Sequence, residues 1–195
     1  PSDLLLLSFI SSLPFYPMAL PIRVASAAKG VTTVIERCEG AKSSGYLDLS
    51  NCSLMYLADA IYLVLKGYEV DKVNLRENDL KKFPKKLVTK FPNMTIVNAE
   101  GNKIEEIPEE FAEWKQLRGL NIANNKISVF ADSLYSLESL AVLDISGNSI
   151  EELDVDRFFS SFPKLIQFKI GGNPLKDEIK AALSEKRPKT MTIHF

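Results

Sequence analysis

The chain has 195 residues, of which 46% are hydrophobic and 25% are charged, a composition typical of a folded domain and not of a disordered or membrane-embedded protein. A compact fold of this length buries about 70% of the surface that its unfolded chain exposes, so a sizeable core can form. The 24 basic and 25 acidic residues nearly cancel, which excludes a general attraction to nucleic acid or to an anionic membrane through net charge.

The N-terminal residues 1–17 are predicted to be an extension foreign to the fold, with Met18 as the expected start of the domain. The apolar stretch LLLLSFI at residues 4–10 is shorter than the about 20 residues that cross a bilayer. No basic residue precedes it, and several prolines follow it. A secretory signal peptide is the second interpretation, because residues 25–27, Ala-Ser-Ala, resemble a cleavage site.

A helix is predicted within residues 18–42, because apolar residues recur there at steps of four and three. Such spacing places side chains on one stripe of a helix, and this stripe is expected to cover the start of the core. The stripe consists of Val24, Ala28, Val31, Ile35 and Cys38.

Residues 43–175 contain six copies of one pattern, LxxLxLxxNxL, in which other apolar residues sometimes replace leucine. The copies are SGYLDLSNCSL (44–54), VDKVNLRENDL (70–80), MTIVNAEGNKI (94–104), LRGLNIANNKI (117–127), LAVLDISGNSI (140–150) and LIQFKIGGNPL (165–175). The polar slot recurs every 23 to 26 residues and holds Cys52, Asn78, Asn102, Asn125, Asn148 and Asn173. A fixed period of this length indicates a solenoid.

This pattern over residues 44–175 resembles the leucine-rich-repeat family. The resemblance implies an α/β solenoid of six coils with a parallel concave sheet, an N-terminal capping helix and a C-terminal helical cap. Each coil cannot bury its apolar side alone, so stacked coils are expected to share one core within a single domain over residues 18–195.

The slot residues are expected to form a structural column. Where each strand turns away, backbone N–H and C=O groups lose their ladder partners, and leaving them buried and unpaired costs about 1–3 kcal/mol each. An inward asparagine offers both a donor and an acceptor to these groups. Cys52 bonds more weakly, so the first turn is expected to be held less firmly.

The return segments predict a ladder of charges between coils two and three. Lysines 81, 82, 85 and 86 occupy the slots that glutamates 105, 106, 109 and 110 occupy one coil later. A basic docking patch made of these lysines is the alternative. Residues 176–195 are expected to close the solenoid with a helix marked by Leu175, Ile179 and Leu183, and TMTIHF is a candidate final strand.

The sequence offers no candidate catalytic, metal-binding or cofactor-binding residues. The single histidine, His194, lies beside the C-terminus, which excludes a histidine-based triad within the repeats. The two cysteines do not make a disulfide framework, and no phosphate-binding glycine-rich motif occurs. We therefore expect a non-enzyme without cofactors or small-molecule substrates.

The outward strand positions are the candidate binding surface, because stacked strands present a preformed platform of side chains. The alternative is that these side chains are merely solvated. The residues are Tyr46, Asp48, Lys72, Asn74, Arg76, Ile96, Asn98, Glu100, Asn121, Asp144 and Lys169.

The expected function is an intracellular, cytoplasmic or nuclear, scaffold that binds a protein partner on this concave face and does not bind membranes. A secreted or receptor-type recognition domain is the first alternative, and it is favoured by the glycosylation triplets at Asn51 and Asn93. A ribonucleoprotein subunit is a further alternative. Direct nucleic-acid binding is not expected, because acidic residues accompany the basic ones on this face.

Overall fold

The computed structural model describes residues 22–195, with side chains described from Gly30 onward. The predicted extension of residues 1–17 and its boundary at Met18 lie outside the described residues, as do the side chains of Val24 and Ala28. Residues 33–195 form one compact unit.

The described residues fold into short strands that alternate with return segments. Each strand is three residues long, which suits the brief LxL alternation at the centre of every repeat. The strands are β1 (Tyr46–Asp48), β2 (Lys72–Asn74), β3 (Ile96–Asn98), β4 (Gly119–Asn121), β5 (Val142–Asp144), β6 (Gln167–Lys169) and β7 (Thr192–His194). The helices are α1 (Ile22–Ser44), α2 (Asp59–Val64), α3 (Lys86–Lys90), α4 (Val155–Ser161) and α5 (Asp177–Lys186), with 3₁₀ turns at Glu109–Glu113 and Asp132–Ser136.

All seven strands belong to one parallel sheet in sequence order. The pairing has no offset, so equivalent residues of successive repeats lie side by side, as Leu120 lies beside Leu143 and Leu143 beside Phe168. The predicted solenoid with a parallel sheet is therefore confirmed. The TMTIHF segment supplies β7 as a seventh strand after the six repeats.

The inward strand residues form a continuous core with the return segments. Leu143 and Ile145 are fully buried, as the alternation predicts. Aromatic side chains fill the space behind the sheet, and the Phe83 and Phe111 rings meet edge to face with centroids 4.7 Å apart. Trp114 is also fully buried, and its Nε1–H donates a hydrogen bond to the Phe91 carbonyl at 3.0 Å.

Helix α1 packs on the core through a stripe adjacent to the predicted one. Val34, Cys38 and Ala41 face the core, whereas Val31 is exposed. Apolar residues occur on both stripes, so periodicity alone did not decide between them, and Cys38 belongs to both. Burial raises the pKa of the Cys38 thiol, and the neighbouring Glu39 carboxylate raises it further, which makes this thiol a poor nucleophile.

The C-terminal segment forms the predicted helix, α5. Its Leu183 is fully buried, and Ile179 packs against the core that Leu175 joins. Among residues 22–195, none of the helices combines the length and the apolar character that a bilayer-spanning helix requires.

Candidate functional site

The asparagine column holds each bend to the coil before it. Asn148 Oδ1 accepts a hydrogen bond from the Ile127 N–H at 3.0 Å, and Asn148 Nδ2 donates to the carbonyls of Ile122 and Ile145 at 3.0 Å each. Four further buried asparagines repeat this arrangement with the preceding coil: Asn78, Asn102, Asn125 and Asn173. These side chains therefore fix the spacing of the strands and are not available to a ligand.

The first coil has Cys52 in place of the asparagine, and a residue of helix α1 supplies the missing donor. Arg37 Nη1 donates to the Ser50 carbonyl at 2.6 Å, to the Asp48 carbonyl at 3.2 Å and to Cys52 Sγ at 3.3 Å. The guanidinium thus satisfies carbonyls that the thiol bonds only weakly. This role of Arg37 was not predicted from the sequence, because the contact spans separate elements and leaves no periodic signal.

On the outward face of the sheet, the last residue of each of the strands β1 to β5 accepts a hydrogen bond from the backbone nearby. Asn98 Oδ1 accepts a hydrogen bond from the Glu100 N–H at 3.0 Å, two residues further along the chain. The same bond is made by Asp48, Asn74, Asn121 and Asp144. An Asx bond of this kind turns the chain out of the strand. These five predicted binding residues therefore have a structural role. Asp144 is also buried, whereas a partner-binding residue needs to be exposed.

Most charges on the outward face are paired with each other. Arg76 Nε lies 3.5 Å from Glu100 Oε2, which also accepts a hydrogen bond from Asn121 Nδ2 at 3.0 Å. Lys169 Nζ lies 3.1 Å from Asp144 Oδ2. A partner that uses these groups would first have to break an existing bond.

The first residue of each strand also faces outward, and on β1, β2 and β3 this side chain is exposed. Zero-offset pairing places Tyr46 beside Lys72 and Lys72 beside Ile96 on three adjacent strands. Tyr46 is 42% exposed and Ile96 is 45% exposed, so two apolar groups flank one ammonium group in water. Gly119 comes next in the row and leaves the flank of Ile96 uncovered. We call Tyr46, Lys72 and Ile96 the exposed row.

The predicted charge ladder between coils two and three is present in part. Lys82 pairs with Glu106 at 3.5 Å, and Lys85 with Glu110 at 3.1 Å. Lys86 instead pairs with Asp59 of the preceding coil. Further inter-coil pairs extend the ladder along the solenoid, namely Asp79 with Lys103, Asp132 with Arg157, and Glu152 with Lys176.

Two open grooves are lined by residues that lie outside the strands. The larger, of about 710 Å³, is lined by Phe130, Tyr135 and the paired Glu152 and Lys176. The smaller, of about 490 Å³, lies along the charge ladder and shares Val129 with the first. Within residues 22–195, no cluster of three or more histidine, cysteine or carboxylate side chains is arranged to hold a metal ion.

Comparison with known proteins identifies the repeat. The leucine-rich-repeat family model matches residues 92–150. Human Leucine-rich repeat-containing protein 20 is 29% identical over 97 residues, which cover 49% of this chain and 50% of that protein. The segments LDLSNCSL, AIYLVLKG and GNPLKDEI predict a resemblance to that protein over residues 18–183. The aligned stretch of 97 residues is shorter than this predicted range.

Human Toll-like receptor 1 is 33% identical over 85 residues, which cover 44% of this chain and 11% of the receptor. The structure of the LRR protein LIC12759 of Leptospira interrogans superposes with a TM-score of 0.62 at 23% identity, covering 72% of this chain and 34% of the other. This structural likeness shows the fold. The chain spans half or less of the length of each of these three proteins.

Proposed function

This chain belongs to the leucine-rich-repeat proteins, and we propose that it is a non-catalytic interaction module that binds a protein partner on the outward, concave face of its sheet. The observation that carries the proposal is the exposed row. Tyr46 and Ile96 place two large apolar side chains in water on a surface that the stacked strands hold rigid. Covering such groups is favourable by about 25 cal/mol per Å² of apolar surface.

The rigidity of this surface supports a binding role. Backbone bonds between strands and asparagine bonds between coils fix the backbone at Tyr46, Lys72 and Ile96 before a partner arrives. A preorganised surface loses little conformational entropy on binding, so more of the contact energy is retained as affinity.

The test compares two double variants by affinity capture from cells. Tyr46→Ala with Ile96→Ala removes the exposed row's apolar groups, and we expect it to lose the proteins that the wild-type chain retains. Leu63→Ala with Val129→Ala removes two apolar side chains that are still more exposed, at 71% and 69%, and lie outside the sheet, and it serves as the control. Thermal unfolding of both variants checks that the fold is intact. Equal retention by the wild type and the exposed-row variant would contradict the proposal.

We place the module inside the cell, a proposal that Cys38 and Cys52 support as free thiols. A receptor-type or secreted recognition domain is the second candidate, favoured by the similarity to Toll-like receptor 1 and by the exposure of Asn51 and Asn93 within glycosylation triplets. Mass spectrometry of the native protein separates the two, because sugar on either asparagine requires passage through the secretory route.

Direct binding of RNA has little support from the outward face. Arg76 and Lys169 each lie beside a carboxylate, and Lys72 alone cannot provide the several phosphate contacts that nucleic-acid affinity requires. RNA retention that falls steeply with salt would contradict this reasoning.

A further inference from the structure

Lys72 has a different electrostatic setting from the other predicted cations of the outward face. Arg76 lies 3.5 Å from Glu100, and Lys169 lies 3.1 Å from Asp144. Among residues 30–195, whose side chains the structure describes, no carboxylate lies within 4.0 Å of the Lys72 ammonium group. The ammonium group is therefore the free positive charge of the exposed row.

The nearest acid in sequence, Asp71, does not neutralise this charge. Its Oδ2 accepts a hydrogen bond from Thr95 Oγ1 at 3.2 Å, and its Oδ1 lies against Gly45. These contacts hold the Asp71 carboxylate beside Thr95 and Gly45. The Lys72 ammonium group is therefore available to pair with an anionic group of a partner.

The neighbours of Lys72 make a carboxylate on a partner a suitable match. Tyr46 and Ile96 lie one strand away on either side, at about 4.8 Å per strand. When apolar side chains of a partner cover them, water is displaced from the space around Lys72. An ion pair formed there is screened less than one on an open surface.

The space over Gly119 extends the apolar part of the row. A Cβ placed on Gly119 would lie 3.8 Å from Ile96 Cγ1 and Cγ2, an ordinary contact distance. A partner side chain can therefore enter this gap and touch Ile96, with the half-buried Val142 on the far side.

Building on the proposed function, we propose that the exposed row selects a protein segment in which an aspartate or glutamate is flanked by apolar side chains. The carboxylate pairs with Lys72, one apolar side chain covers Tyr46, and another covers Ile96 beside Gly119. The charge gives orientation and the apolar contacts give most of the affinity.

The test selects random dodecapeptides from a displayed library on the wild-type chain and on Lys72→Glu. We expect wild-type selection to enrich an acidic residue between apolar residues, and Lys72→Glu to enrich lysine or arginine at that position. Lys126→Glu makes the same change in net charge at an exposed residue outside the strands and should keep the wild-type preference.

The affinity of one enriched peptide is then measured by fluorescence anisotropy. We expect Lys72→Glu to weaken it about tenfold and a peptide with its acid changed to lysine to recover the loss on this variant. Peptides that depend on Tyr46 and Ile96 but show no acidic preference would overturn this inference and leave the proposed function standing. If no enriched peptide depends on Tyr46, Lys72 or Ile96, both fail.

Discussion

Asn148 joins its own bend to the bend before it, because its Oδ1 accepts the Ile127 N–H at 3.0 Å while its amide group donates to the carbonyls of Ile122 and Ile145. We expect Asn148→Ala to leave these backbone groups buried and unpaired and to lower the free energy of unfolding by about 3 kcal/mol. Chemical denaturation followed by the fluorescence of the single tryptophan, Trp114, measures the change.

The matched control is Ser149→Ala, which removes a hydroxyl from the adjacent exposed residue and should change the free energy of unfolding by less than about 0.5 kcal/mol. Equal effects of the two substitutions would show that the amide is not holding the bend.

At the first coil, Arg37 bonds the backbone carbonyls of the bend in place of an asparagine. We expect Arg37→Met to remove hydrogen bonds to the Asp48 and Ser50 carbonyls and to destabilise the fold by about 1–3 kcal/mol. Glu36→Gln, at the neighbouring exposed position, is the control, and hydrogen exchange in residues 46–54 should rise only in the arginine variant.

A rescue experiment tests the reason for this loss. Cys52→Asn places an amide in the polar slot of the first repeat, where it can donate to the carbonyls of the first coil. It should restore part of the stability of Arg37→Met. If it restores none, the guanidinium acts through packing instead of through hydrogen bonds.

The inter-coil pair of Glu152 and Lys176 predicts a pH effect. A hydrogen bond from Lys176, and then its charge, lowers the pKa of Glu152 below its ordinary value of 4.5. A lowered pKa in the folded state stabilises the fold above the ordinary value, and the contribution declines as pH falls through the folded-state pKa. We expect Lys176→Met to raise the pKa of Glu152 toward 4.5 in an NMR titration.

The control for this titration is Lys180→Met, which removes a lysine that pairs with Asp177 instead. An unchanged Glu152 pKa in Lys176→Met would mean that the pair does not persist in solution.

Two glycines are expected to respond to alanine with opposite signs. Gly147 has φ of +64° and lies against Asn124, so Gly147→Ala should cost about 1–2 kcal/mol. Gly40 lies inside α1, with open space where a Cβ would be, so Gly40→Ala should stabilise by about 0.5–1 kcal/mol. Thermal unfolding of the two variants gives the comparison. A stabilising Gly147→Ala would contradict the left-handed backbone at that bend.

Repetition made the fold predictable from the sequence. A pattern that recurs six times averages out local exceptions, so the strand positions and the burial of Asn148 follow directly from the period. The binding surface was less predictable. The outward direction of Asn98 follows from alternation, but its bond to the Glu100 N–H depends on the bend after the strand. The ion pair of Lys86 with Asp59 depends on how far the lysine side chain extends toward the preceding coil, and the alignment of repeats does not show this.

The asparagine bonds that cross between coils run in one sense, from each coil to the coil before it, ending with Asn173 on Ile150. A coil is therefore completed by a residue that lies 21 to 29 positions later in the chain. No single coil can satisfy its own bend, so the repeats must become ordered together, and during synthesis each bend stays open until the ribosome has released the next turn.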